Sequence, residues 1–430
     1  MKSKICVFWF RRDLRLTDNA ALAAALAYNL PVLPIFIFDT EILNKLENKT
    51  DRRVDYIHQA LTAINENLAK INSGVQTFYT KPINAFTEIL KNYNVEAVFC
   101  NRDYEPQAIA RDANVAAFLA SQQVAFYHYK DQVIFEQAEI TKSNGTPYTV
   151  YTPYAKQWRA KLSTQDIQPY KINSQNFIKQ KGAIIPLNKI GFTKTDILYT
   201  TPELNIEIIK NYDEFRDFPA KQHTTQLGIA LRFGTISIRK CVAFALKHNN
   251  VWLSELIWRE FFMQILFHFP RVVTKAFKPQ YDAIEWSNNE THFKRWCNAE
   301  TGYPIVDAGM NQLNKTGFMH NRVRMIVASF LCKHLLIDWR WGEAYFAQKL
   351  NDYDLAANNG NWQWAAGCGC DAAPYFRIFN PTAQTVKFDK DLLYIKKWNP
   401  NYEKTLAKPI VIHEQAREKA LNTYKKALKG

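Results

Sequence analysis

The chain is poor in the residues that build a disulfide framework or a metal cage. Its seven cysteines (6, 100, 241, 297, 332, 368 and 370) are scattered and odd in number, which argues against a disulfide scaffold and fits a reducing, cytoplasmic setting. Cys368-Gly369-Cys370 has no second Cys/His pair nearby, so zinc is not expected, and no other metal set is visible. A membrane span is also missing. Residues 20–38 carry no charge, but Asn29, Pro31 and Pro34 interrupt them, and they read better as a helix followed by a buried strand. The Met-Lys-Ser-Lys start runs straight into an apolar strand without a cleavage site, so no signal peptide is expected. Neither an internal repeat nor a low-complexity tract is evident.

Acidic residues are in deficit. Lys+Arg number 55 against 40 Asp+Glu, a net charge of +15. Such a surplus favours a polyanionic partner: nucleic acid, an acidic membrane or a phosphorylated ligand. Hydrophobic residues make up 47% of the 430, enough for a large core, and the length suggests roughly two to three domains.

The first third alternates between short apolar runs and helical spacing. Ile5–Phe10, Val32–Phe38, Val75–Tyr79, Ala97–Cys100 and Val124–Tyr127 read as strands. Asn19–Tyr28, Arg53–Ile71, Ala85–Lys91 and Ala108–Ala120 read as the helices between them. This order predicts a doubly wound parallel α/β sheet. The turn after the first strand is Arg11-Arg12-Asp13-Leu14-Arg15. It lacks the glycines of a dinucleotide fingerprint or a P-loop, so a dinucleotide is not held there in the usual way. Residues 131–200 lose the alternation and read as a linker, with a short helix near Tyr151–Leu162. From 201 to 430 the pattern is all-helical, with candidates at 239–248, 253–267, 290–298, 304–316, 320–336, 341–350 and 415–428.

Nine of the eleven tryptophans fall in residues 252–398. An indole N–H wants a partner, so this crowding suggests stacking on flat ligands or electron transfer as well as a Trp-rich core. On a helix, Glu255 and Trp258 share a face and Glu255 could pair with Arg259. Spacing alone favours a surface ion pair over a ring-binding site. Asn321 and Met325 share another face, while Arg322 and Arg324 project elsewhere. His320 has no partner that would make a nucleophilic triad. Asp352 to Trp364 packs two carboxylates, several amides and two indoles into one stretch. In a helix Trp362 and Trp364 would lie about 200° apart, one toward the interior and one toward a cleft. Paired carboxylates also suggest glycoside hydrolysis, although the basic charge disfavours it. Arg377 and Lys387 flank Phe379-Asn380-Pro381, a mixture of charge and ring that suits a nucleic-acid groove or a solvated loop.

These segments together resemble the photolyase/cryptochrome flavoprotein family, from Trp9–Asn19 through Arg216–Pro219, Trp252–Arg259, Thr301–Ala308, Gly317–Met325, Ile337–Trp341 and Asp352–Pro381. The block from Gly317 to Pro381 is the most specific, and it looks most like the class I enzymes that split cyclobutane pyrimidine dimers. The resemblance implies an α/β antenna domain (1–130), a linker (131–200) and a helical FAD-binding domain (201–430). It also implies light-driven electron transfer from reduced FAD to a flipped-out dimer in ultraviolet-damaged DNA, by a monomer. A cryptochrome-like photoreceptor without repair is the alternative.

The resemblance also carries site residues. Tyr212, Thr224, Thr225, Gln226, Leu227 and Gly228 match the first flavin-contacting stretch. Glu255, Arg259, Asn321, Arg324, Asp352, Asp354 and Asn358 would line the rest of that pocket, with Arg324 paired to Asp352 and Asn358 at flavin N5. An amide at N5 favours repair over signalling. Glu255 and Asn321 would hydrogen-bond the dimer, Trp258 and Trp364 would stack on it, and Met325 would lie beside it. Trp362, Trp339 and Trp286 match an electron-hopping chain. Arg216, Arg322, Arg377 and Lys387 would meet the DNA backbone. The (6-4) photolyases carry His where this chain has Asn321 and Met325, so that lesion is not expected. Two departures stand out. Gly228 replaces a hydroxyl residue of the flavin stretch, and Gln107-Ala108 replaces the Asn-Glu pair of folate-binding members. The second departure counts against a methenyltetrahydrofolate antenna and leaves a deazaflavin, a flavin or none.

Overall fold

The computed structural model describes residues 3–403 and 408–429. The chain forms two compact units interleaved along the sequence. One comprises residues 1–136, 161–204 and 227–247; the other comprises 137–160, 205–226 and 248–430.

The first unit is built on five parallel strands: β1 (Lys4–Phe10), β2 (Val32–Asp39), β3 (Gln76–Thr80), β4 (Asn94–Asn101) and β5 (Ala125–Tyr129). Their order across the sheet is β3-β2-β1-β4-β5. Helices α1 (Ala20–Ala27), α2 (Arg52–Ala69), α3 (Pro82–Asn92) and α4 (Pro106–Ser121) make the crossovers. Strand positions alternate between two cores. Cys6, Phe8, Phe10, Phe36 and Phe38 face one; Ile5, Val7, Trp9, Ile35 and Ile37 face the other. Burial on both faces is why these strands read as continuous apolar runs. Helix starts are set by side chains that accept from free N–H groups, such as Asn19 at α1 and Asp51 at α2, and by proline at the first position of α3 and α4.

The stretch expected as a linker has a structural role. Phe177 and Ala183 form parallel bridges to Val32 and Gln76, so the segment 161–204 extends the sheet's own pairing. Segment 227–247 is held in the same unit by a buried ion cluster. Arg239 donates to Asp18 (2.8 Å) and to Asp131 (2.7 Å), and Arg15 donates to Asp131 (2.6 Å).

The helices that carry the candidate site belong to the second unit: α5 (Tyr151–Lys161), α6 (Asn250–His268), α7 (Pro304–Thr316), α8 (Asn321–Ser329), α9 (Trp339–Lys349), α10 (Leu355–Ala366), α11 (Pro381–Phe388) and α12 (His413–Lys429). The helix expected over 320–336 is shorter, because Phe330–His334 forms a π-turn at the end of α8. Trp296, Trp339 and Trp362 lie in one apolar core with Met310, Phe346 and Tyr424. No helix among the described residues is long and apolar enough to cross a membrane.

Candidate active site

Helices α8 and α10 supply most of the site. His320 caps α8 by accepting from the Arg322 amide through Nδ1 (3.2 Å). Burial pushes its imidazole down to about 4, so it stays neutral at physiological pH. Asp354 caps α10 by accepting from the Ala357 amide (3.1 Å). These caps set the helix phases. One cavity is then lined by Asn321, Arg324 and Met325 of α8, Asp352 and Asp354 before α10, and Asn358, Trp362 and Trp364 within it. The cavity measures about 90 Å³. Eight residues expected from sequence therefore meet in one place.

The chemistry of that wall suits a flavin ring. Arg324 donates through Nη2 to both Asp352 oxygens (2.9 and 3.2 Å) and through Nε to the Met319 carbonyl (2.8 Å). Asn358 spends both amide protons on Glu343, on its carbonyl oxygen (3.1 Å) and on Oε1 (2.8 Å). With both donors used, the amide offers an acceptor to a ligand. Burial raises the Glu343 carboxyl while the Asn358 amide opposes the shift. Glu343 was missed in the sequence. It stands on α9, fifteen residues from Asn358, and only the crossing of α9 with α10 brings the two together.

Trp362 and Trp364 behave as a helix requires. Trp362 is 2% exposed and packs edge-to-face on Phe346 (5.0 Å) and Trp296 (6.2 Å); Trp364 is half-buried. Gly342 lies against Trp362: a Cβ there would meet its Cη2 at 2.1 Å. Trp339 is buried on the same helix as Gly342, one turn before it. Trp286 is half-buried, with Tyr424 edge-on at 5.9 Å.

Glu255 pairs with Arg216, whose Nη1 donates to it at 2.5 Å, where sequence spacing had offered Arg259. Arg259 itself is half-buried on α6. Arg322 is likewise engaged, donating to Asp217 (2.7 Å) with its guanidinium 4.3 Å over Phe388. Arg377 and Lys387 are exposed. The four basic residues expected at DNA thus divide into two held by carboxylates and two presented to solvent. Trp258 is half-buried on α6 and already carries a stacked ring, that of Tyr151, at 3.7 Å and 6°.

Tyr212 opens a short helix, with the Arg216 guanidinium 5.3 Å from its ring, and burial raises its hydroxyl well above the usual range. Thr224 and Thr225 are half-buried, and Gln226 has φ +51°. Leu227 precedes a short helix that begins at Gly228 and has no side-chain cap. The hydroxyl lost at Gly228 is therefore not replaced locally.

The first unit holds a second cavity, of about 580 Å³. It includes Trp9, Arg11, Phe38, Asp39, Arg111 and Arg232 among its walls. It lies beyond the carboxyl ends of β1 and β2, beside the point where the strand order reverses between β1 and β4, the usual place for a ligand in an open α/β sheet. Its arginines are internally paired: Arg11 with Asp112 (2.5 Å), and Arg12 and Arg232 with Glu105 (2.9 and 2.7 Å). Arg11 and Arg111 also lie 4.9 and 5.1 Å from the Trp9 ring.

Comparison with known proteins agrees with this layout. Residues 6–171 match the family described as DNA photolyase, and residues 252–428 match the FAD binding domain of DNA photolyase. A deoxyribodipyrimidine photo-lyase from Synechococcus sp. is 37% identical, over 95% of this chain and 90% of its own length. Among solved structures, a bacterial class III photolyase from Agrobacterium tumefaciens superposes with a TM-score of 0.86 at 33% identity, covering 100% of this chain and 99% of that one. An archaeal photolyase from Sulfolobus tokodaii with two FAD molecules gives a TM-score of 0.85 at 31% identity, with 98% and 99% covered.

Proposed function

Because the chain belongs to the DNA photolyase family, we propose that it is a light-driven repair enzyme that splits cyclobutane pyrimidine dimers in DNA, closest in its site to the class I enzymes. The observation that carries this reading is the single cavity on which Asn321, Met325, Trp364, the Arg324–Asp352 pair and Asn358 converge. FAD, when bound there in its reduced form, supplies an excited-state electron that opens the cyclobutane ring and then returns, so the cycle has no net redox change.

The chain's own residues bind and orient. Arg324, Asp352 and Asn358 would hold the flavin ring, with the Asn358 oxygen as a hydrogen-bond acceptor. Tyr212, Thr224, Thr225 and the backbone at Gln226, with Arg259 and Asp354, would hold the remainder. Trp258 and Trp364 receive the extruded bases, Met325 packs beside them, and Glu255 and Asn321 take their polar edges. Extrusion costs a few kcal/mol, least where the lesion already pairs poorly. Glu255 is ion-paired with Arg216, so engaging the dimer means exchanging that partner for the lesion's own N–H. Arg377 and Lys387 meet phosphates directly; Arg216 and Arg322 do so only by leaving Glu255 and Asp217. Trp362, Trp339 and Trp286 would form the route that carries electrons inward to an oxidised flavin. The second cavity is read as the seat of a light-gathering chromophore of the flavin or deazaflavin class. Its place in the fold and the pair of FAD molecules in the Sulfolobus neighbour support this reading.

The test uses the purified holoprotein with its flavin chemically reduced, illuminated with blue light beside dark controls. Duplexes carry a thymine dimer, a (6-4) photoproduct or no lesion. Loss of the dimer alone is expected. Dimers that survive illumination would move the protein to the photoreceptor class.

A further inference from the structure

We propose that Tyr151 is a positioning residue of the lesion pocket, a fixed backing that turns Trp258 into a one-sided platform and thereby sets preference for damaged over intact DNA. The inference rests on the reading above that Trp258 stacks on the extruded dimer.

The observation behind it is unexpected. A tryptophan assigned to stack on substrate already has one face taken, by the Tyr151 ring at 3.7 Å and 6° between planes. Phe261 stands edge-on to both rings, at 5.6 Å from Trp258 and 5.9 Å from Tyr151. Phe262 lies 5.5 Å from Trp258 at a 31° tilt. Phe262 is in turn pressed on α10, because a Cβ at Gly360 would sit 2.2 Å from its ring. The indole is therefore held in a three-ring nest and has little freedom to turn.

Tyr151 is itself tied at both ends. Its hydroxyl donates to the Ser254 carbonyl (2.9 Å), one turn before Trp258 on the same helix. Burial raises that hydroxyl to about 12, so it remains a donor at any working pH. Its backbone amide, at the start of α5, donates to Asp371 Oδ2 (3.0 Å). Asp371 lies in the loop that follows α10, the helix carrying Trp364. One residue thus touches the frames of both tryptophans, the ring and hydroxyl on α6 and the amide on the loop after α10. An offset aromatic pair has a definite preferred geometry, and a platform ordered before binding does not lose freedom when substrate arrives.

The experiment measures binding of the holoprotein to a duplex with one thymine dimer and to the same duplex undamaged, in the dark, across a salt series. Tyr151→Leu removes the ring. It is expected to cut the ratio of the two affinities about fivefold while the affinity for undamaged DNA and its salt slope stay at wild-type values. Tyr151→Phe keeps the ring and should recover the ratio to within about twofold. Asp371→Ala frees the amide without touching either ring and should lower the ratio in the same direction, which carries the test should Tyr151→Leu fail to fold. Wild-type discrimination in Tyr151→Leu or in Asp371→Ala overturns the proposal. So does equal weakening on both duplexes, or a Tyr151→Phe defect as large as that of Tyr151→Leu. Trp258→Ala separates this from the parent reading. If it leaves dimer affinity intact, the platform itself is misassigned; if it weakens binding while Tyr151→Leu does not, only the backing role falls.

Discussion

Replacing Lys333 by Met should abolish a pH dependence of stability that the wild-type protein carries. Lys333 lies in the π-turn after α8, 1% exposed. Its Nζ donates to the carbonyls of Ala366 (2.9 Å) and Tyr375 (3.1 Å) and sits 3.8 Å over the Tyr424 ring. Among the described residues, no carboxylate is among the groups acting on its charge. Burial lowers its pKa from 10.5 to about 7, with the thiols of Cys332 and Cys368 opposing only weakly. A neutral amine has two N–H donors, which the two carbonyls satisfy. The unfolded chain keeps the proton to about pH 10.5 and the folded chain releases it near 7. Between those values the folded state binds fewer protons, so stability rises with pH, and below 7 the contribution is flat. At 1.36 kcal/mol per pH unit, moving from pH 7.5 to 9.5 should stabilise wild type over Lys333→Met by about 2–3 kcal/mol. Met also leaves the Tyr375 carbonyl without its Lys333 donor, a constant cost of about 1–3 kcal/mol, while the Ala366 carbonyl keeps the Tyr424 hydroxyl (2.9 Å); the titration of Lys333 then widens the gap between the proteins as pH rises. Urea unfolding at the two pH values, followed by tryptophan fluorescence, reads this directly, because nine of eleven tryptophans lie in 252–398. Parallel pH profiles for the two proteins would refute a neutral buried Lys333.

Three further outcomes follow from the site. Trp362→Phe should cut photoreduction of oxidised flavin at least about tenfold yet leave repair by chemically reduced protein within about twofold; unchanged photoreduction, read by absorption, would remove Trp362 from the route. Glu343→Met removes the side-chain half of the Asn358 clamp and leaves only the bond to the residue 343 carbonyl, so the amide oxygen is held less firmly for the reduced flavin and the midpoint potential should fall by roughly 20 mV. Glu343→Gln keeps an acceptor oxygen and should not shift it, and equal potentials in both variants would contradict the assignment. Arg377→Ala should lower the salt slope of DNA binding by about one unit, whereas Arg322→Ala, spent on Asp217 and Phe388, should barely change it; the reverse ranking would show that the carboxylate pairs open on DNA.

What could be read from residues alone followed the range of the interactions. The parallel sheet was legible because its central strands are buried on both faces, leaving unbroken apolar runs such as Ile5–Phe10. The unequal burial of Trp362 and Trp364 was legible because helical geometry is local, although both line the same cavity. Partners distant in sequence were not. Glu255 had an obvious candidate four residues away in Arg259, but it pairs with Arg216, 39 residues off. Tyr151 sat in a stretch that looked like a linker, and its stacking on Trp258 depends on how α5 docks against α6. Glu343 carried no local signal at all. The π-turn at Phe330–His334 interrupts a pattern whose apolar spacing would suit an uninterrupted helix equally well. The ionic pairing of Arg216 and Arg322 bears most on function, since it separates basic residues open to DNA from those already committed.

The most direct test is a flash experiment on the dark complex of flavin-reduced protein with a duplex bearing one thymine dimer, recording dimer content and flavin absorption on the same sample. Restored thymines with the reduced flavin spectrum unchanged before and after is the predicted result. Intact dimers, or flavin oxidised in step with each dimer lost, would contradict it.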